Sequence, residues 1–143
     1  MLPGDEELPA GDDFDTTAST SGDSTGAPDD TDTLIDVLVV YTSDAREGAG
    51  SVKAMETEIL LAVTETNEGY TQSNVDQRIR LVDTMETTWD ESEGTFSFYD
   101  TLVKATSTTD GKMDDIHALR DKVGADQVVL IVEGDNSYCG LAW

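Results

Sequence analysis

This sequence is poor in several residues that function commonly requires. It has one cysteine, Cys139, one histidine, His117, and 8 lysines and arginines against 31 acids, for a formal net charge of -23. A single cysteine excludes an internal disulfide and leaves three readings: a buried thiol, an intermolecular link, or half of a bridge whose other half is absent. A single histidine excludes a zinc site built on two histidines one helical turn apart. The scarcity of cations makes nucleic acid and anionic membrane surfaces poor partners, because their phosphates would be repelled. No apolar run approaches the ~20 residues needed to cross a bilayer. The start, "MLPGDEELPAGDD", has neither a basic n-region nor an apolar h-region, so no signal peptide is visible. That implies a cytosolic protein or a true N-terminus upstream of Met1.

Motifs for other chemistries are missing as well. There is no G-x-x-x-x-G-K-[ST] for phosphate. Cys139 and His117 form the only Cys/His pair, but "NSYCGLAW" supplies neither a helix N-terminus nor a cation to lower the thiol pKa. On its helix, His117 has Asp114 and Asp121 as carboxylate neighbours. That trio could hold a metal only weakly, and a histidine satisfied by a carboxylate is the simpler expectation.

What is present divides the chain in two. Residues 1–33 are rich in Ser, Thr, Gly and Asp, with no apolar periodicity, and read as a disordered acidic linker. Mutual repulsion among its aspartates should keep it extended. Residues 34–143 read as one α/β domain. "LIDVLVVYT" (34–42) is a strand buried on both faces, and "SDAREGAG" is a turn-rich stretch. Ser51 caps a helix whose face carries Val52, Met55, Ile59, Val63, Thr66 and Tyr70, widened by Leu60, Leu61 and Ala62. It ends near Ser73 and Asn74.

"QRIRLVDTMETTW" (77–89) alternates as a strand with Ile79, Leu81 and Met85 on its drier face, and "DESEG" breaks the pattern. Phe96, Tyr99, Leu102 and Val103 suggest a short helix or an irregular packed segment. A further helix turns Met113, Ile116, Leu119 and Val123 inward and stops at Gly124. "DQVVLIVEG" (126–134) reads as a second fully buried strand, "GDNS" as a turn, and "YCGLAW" as the start of something extended. Alternation of this kind predicts a mixed, mostly parallel twisted sheet with packed helices.

Four stretches, "IDVLVVYTSDAREGAG", "AVTETNEGYTQSNVDQRIRLV", "MDDIHALRDKVGADQVVLIVEG" and "YCGLAW", together resemble the first half of a bacterial reprolysin-like metzincin domain. The peptidyl-Asp metalloendopeptidases are among that family's relatives. The resemblance implies a metzincin-like N-terminal subdomain, incomplete at its C-terminus, from an extracellular or cell-surface zinc endopeptidase acting on peptide or protein substrates. It places the zinc motif H-E-x-x-H-x-x-G-x-x-H beyond Trp143. The chain by itself is therefore expected to be inactive, without bound zinc, and dependent on a missing C-terminal half of the same domain.

The resemblance also makes "YCGLAW" the edge strand beside the substrate cleft. Gly140, Leu141 and Ala142 would then pair with an extended peptide, Gly140 permitting close backbone approach. Cys139 would bridge to a cysteine downstream. A strand from the missing half would lie next to "DQVVLIV", leaving a sheet edge open and the isolated domain marginal. Asp36 is a weak candidate calcium ligand by the same resemblance, although calcium needs about six or more oxygens.

Two alternatives come from other classes. A von Willebrand A-type binding module would need D-x-S-x-S after the first strand; Thr42 and Ser43 offer hydroxyls, but the leading aspartate is missing and Asp36 comes too early. A zinc-free relative that only binds peptides is the other.

Overall fold

The computed structural model describes residues 33–134 and 139–143; the linker expected over residues 1–33 falls almost wholly outside them. The described elements follow the order β1 (Leu34–Tyr41), α1 (Ser43–Ala49), α2 (Val52–Gln72), β2 (Arg78–Glu86), α3 (Phe98–Thr106), α4 (Asp115–Val123) and β3 (Gln127–Ile131). The three strands form one parallel sheet in the order β2-β1-β3. This is the mostly parallel α/β arrangement expected from the alternation of patterns.

β1 is central because its side chains are apolar on both faces. Val37, Val39 and Tyr41 pack with Ala45 of α1 and with Met55 and Ile59 of α2. Leu38 and Val40 pack on the opposite face with Trp89, Met113 and Ile116. Helices therefore cover the sheet on both sides, and β1 contributes the fully buried Leu38 and Val40.

Several sequence expectations are corrected. The stretch after β1 is a helix. Thr42 is extended and its hydroxyl accepts from the Ala45 amide at 3.1 Å, while Gly50 at φ 98° stops the helix two turns later. Leu60 and Leu61, expected to widen the buried face of α2, are 56% and 55% exposed. Only Met55 and Ile59 are fully covered, so the apolar stripe is narrower than the composition suggests.

β2 does not present Ile79, Leu81 and Met85 on one face. Its register against β1 slips between Val37 and Leu38, so that Leu81 pairs with Val37 and Asp83 with Leu38, leaving Val82 as an extra residue. One inserted residue inverts the facing of all that follow. Ile79 and Leu81 join the α2 side, and Met85 joins the α4 side.

In α3 the covered residue is Thr101, whereas Tyr99 and Val103 are 58% and 40% exposed. β3 is not fully buried either: Val128 and Val129 are 37% and 45% exposed. It has one strand neighbour among the described residues, so its outer side lacks the cover that both flanks give β1. β2 is also an end strand, but Asn67 of α2 covers part of its backbone. The Asn67 amide donates to the Ile79 carbonyl at 2.9 Å, and its oxygen accepts the Ile79 N–H at 2.8 Å.

Candidate functional site

Ligands of open parallel sheets gather where the strands end at their carboxyl termini. Here the ladder is prolonged past those ends: Thr42 N–H donates to the Ile131 carbonyl at 3.1 Å, and Thr87 N–H to the Tyr41 carbonyl at 2.9 Å. The junction is closed by Glu91, which is 8% exposed. Its Oε1 accepts the Glu133 N–H at 2.8 Å and its Oε2 the Gly134 N–H at 2.7 Å. The Thr42 hydroxyl also donates to Oε1. One carboxylate thus ties the end of β1 to the exit of β3.

Glu91 was not recognisable from sequence. "DESEG" reads as a break in a pattern, and in a chain with 31 acids nothing marks this one as buried. Other acids crowd it. Asp44, at the start of α1, has its carboxyl pushed above the usual carboxylate range. Loss of hydration contributes most, followed by repulsion from Glu91, Asp90 and Glu47. Asp90 is shifted the other way, because the Ser92 hydroxyl and amide both donate to its carboxylate.

Beyond Glu91 the chain is steered by Gly134. Its φ of 57° lies in the left-handed region, and a Cβ there would sit 3.0 Å from Cζ of Phe96 and 3.4 Å from Cζ of Phe98. Those two rings pack edge to face at 5.1 Å. Residues 135–138, which hold the expected "GDNS" turn in part, lie outside the described residues.

The Cys139 thiol is exposed and unpaired among the described residues; the buried-thiol reading does not describe it. Gly140, Leu141 and Ala142 are exposed and belong to no strand, and Gly140 has open space where a side chain would stand. The segment is held at its end. Trp143 Nε1 donates to Thr106 Oγ1 at 2.8 Å, and its ring meets Tyr99 edge-on at 6.0 Å. The expected substrate wall therefore lies beside α3.

The candidate metal ligands are dispersed. Both carboxylate oxygens of Asp36 are taken by Arg80, Oδ1 by Nε and Oδ2 by a terminal nitrogen, each at 2.7 Å. A calcium ion would have to displace that guanidinium. His117 Nε2 lies 3.0 Å from the Ser107 carbonyl, so a backbone oxygen satisfies it where a carboxylate was expected. Asp114 accepts from the Gly111 amide, and Asp121 pairs with Arg120. Among the described residues no three His, Cys, Asp or Glu side chains could hold a metal ion. They do not fit a zinc site. The Thr42 hydroxyl is committed to Ala45 and Glu91, which removes a donor that a von Willebrand A-type metal site would require.

Comparison with known proteins agrees with this topology. Residues 31–143 match the family described as metallo-peptidase family M12B, reprolysin-like. A peptidyl-Asp metalloendopeptidase of Stenotrophomonas maltophilia (strain R551-3) is 39% identical over 119 residues, covering 83% of this chain and 26% of that protein. One of Xanthomonas campestris pv. campestris is 40% identical over 119 residues, with the same coverages. The chain thus spans about a quarter of the length of these curated relatives. A chain in a solved structure titled as a chaperone-substrate complex shares the fold, with a TM-score of 0.59 at 21% identity. That match covers 78% of this chain and 20% of the other.

Proposed function

This chain belongs to the reprolysin-like M12B metallopeptidase family, and we propose that it forms the N-terminal scaffold of an extracellular or cell-surface zinc endopeptidase domain. What supports the reading is the likeness, over most of the chain, to relatives named as peptidyl-Asp metalloendopeptidases. In this reading the zinc ligands come from a H-E-x-x-H-x-x-G-x-x-H helix encoded beyond Trp143. The metal, once bound there, would activate water for peptide hydrolysis. The residues present here contribute the sheet, its helical cover and one wall of the groove. Gly140, Leu141 and Ala142 form that wall and pair with an extended substrate through backbone hydrogen bonds.

Two features of the described residues suit this role. The outer side of β3 leaves Val128 and Val129 partly uncovered, as a strand awaiting a neighbour would. The Cys139 thiol is exposed, which leaves it open to a bridge with a cysteine of another segment, the kind common in secreted proteins.

The test is to express the complete open reading frame and assay cleavage of aspartate-containing peptides. Cleavage should stop with a chelator and return with zinc, and residues 1–143 alone should show none. A downstream sequence without H-E-x-x-H, or a complete protein inert with zinc, would defeat the proposal.

A further inference from the structure

We infer that Glu91 is a positioning residue, whose buried carboxylate fixes the exit of β3 and thereby the placement of the substrate wall at Gly140, Leu141 and Ala142. The inference rests on the functional reading above, and its geometry stands independently. Glu133 and Gly134 lie beyond the last ladder residue of β3, Ile131. Their amides would otherwise need other acceptors in a partly covered setting. Both are taken by the two oxygens of one carboxylate, which the Thr42 hydroxyl at the end of β1 also engages.

Simple packing does not call for this arrangement. An apolar residue could fill the same space without the desolvation penalty of a carboxylate, and a buried charge is tolerated only when its donors are well placed. Here the donors come from two separate strand exits, so the carboxylate sets the distance and angle between them. Gly134, at a left-handed φ with Phe96 and Phe98 close by, fixes the backbone conformation at that exit. Hydrogen bonds to a charged acceptor are stronger and more directional than neutral ones, which suits a fixed point upstream of a binding edge.

The variant Glu91→Gln keeps the size, removes the charge and turns one acceptor into a donor facing another donor. In the 143-residue chain it should accelerate amide exchange at Glu133 and Gly134 by about tenfold or more, the effect of losing charge-assisted bonds. The Ile79 amide, held by Asn67 far from the site, should exchange as before. In the complete zinc enzyme the same variant should raise KM for an extended peptide while kcat stays nearly constant, because wall and reacting centre are separate.

Unchanged exchange at Glu133 and Gly134 overturns the clasp. Faster exchange with an unchanged KM, or an equal fall in kcat and kcat/KM, overturns the positioning role. A complete protein without peptidase activity overturns the functional reading instead, and exchange still decides the clasp. Should Glu91→Gln not fold, the unaltered chain decides: fast exchange at both amides would overturn the inference.

Discussion

The Asp36–Arg80 pair makes an asymmetric prediction. Asp36 lies within β1 with its side chain 7% exposed, whereas the Arg80 side chain on β2 is 40% exposed. The pairing is a two-point fork, with both contacts at 2.7 Å. Arg80→Met strands a carboxylate that cannot reach water. Breaking a fully buried pair in this way costs about 3–5 kcal/mol. The partial exposure of Arg80 discounts that toward the low end, about 3 kcal/mol.

Asp36→Asn leaves a neutral amide of nearly the same shape, still able to accept one hydrogen bond, and a guanidinium already in contact with solvent. The loss should be about 1 kcal/mol, that of one modest hydrogen bond. The backbone link between β1 and Asp126 is untouched by either change: Asp36 N–H donates to Asp126 Oδ2 and Asp126 N–H to the Asp36 carbonyl, each at 2.8 Å.

Urea unfolding followed by far-ultraviolet circular dichroism measures both variants. With a slope of about 2 kcal/mol per molar, their midpoints should differ by about 1 M. The double variant Asp36→Leu/Arg80→Met should recover much of the loss, because no charge remains stranded. If Asp36→Asn proves as damaging as Arg80→Met, or if the double variant is as unstable as the sum of the singles, burial of the carboxylate is not what makes the pair matter.

Asp44→Asn should raise the melting temperature at pH 7. The folded chain raises this carboxyl above 3.8, so it binds a proton more tightly folded than unfolded. Stability therefore falls as pH rises from the unfolded pKa through the folded one, and the penalty is complete above both. The gain from Asp44→Asn should vanish below about pH 3, where both states are protonated; a gain of equal size there would contradict the sign. Gly134→Ala should destabilise by about 1–2 kcal/mol from left-handed strain alone, with further loss from the Phe96 contact. Gly94→Ala, at φ 94° with open space around it, should show the strain without the contact, so thermal unfolding of the two separates the terms. Leu38→Ala, at 0% exposure, should cost about 2–5 kcal/mol. Leu60→Ala, at 56% exposure, should stay within about 0.5 kcal/mol; a large loss at Leu60 in urea unfolding would show that α2 buries more than its two core residues.

The sequence was most legible where one residue pattern admits one environment. "VLVVY" in β1 has no polar side that could face water, so a strand covered on both faces follows. Ser51 and Gly124 mark their helix ends because few residues serve as an N-cap or take a left-handed φ. β3 shows the limit. "VVLIV" states a need for burial but not the number of neighbours, and as an end strand it meets that need only in part. α1 was hidden because "SDAREGA" has no apolar stripe; its stability comes from the Thr42 cap and from burying Ala45. The bulge at Val82 was hidden for a different reason. Strand alternation is a local pattern, while register is set by what the partner strand presents.

Two buried carboxylates, Asp36 and Glu91, explain how β1 can serve as the hub of the sheet. Near its start, Asp36 takes Arg80 from β2, and its backbone exchanges hydrogen bonds with Asp126, just before β3. Just past its end, the Thr42 hydroxyl and the amides beyond β3 converge on Glu91. The apolar residues between these points are interchangeable in kind and could slide by two positions without exposing a polar group. A carboxylate whose partners come from specific residues cannot slide. The acids at the two ends therefore do what the apolar middle of β1 cannot, which is to fix the register. A sheet so fixed holds the exit of β3 in one place relative to the end of β1.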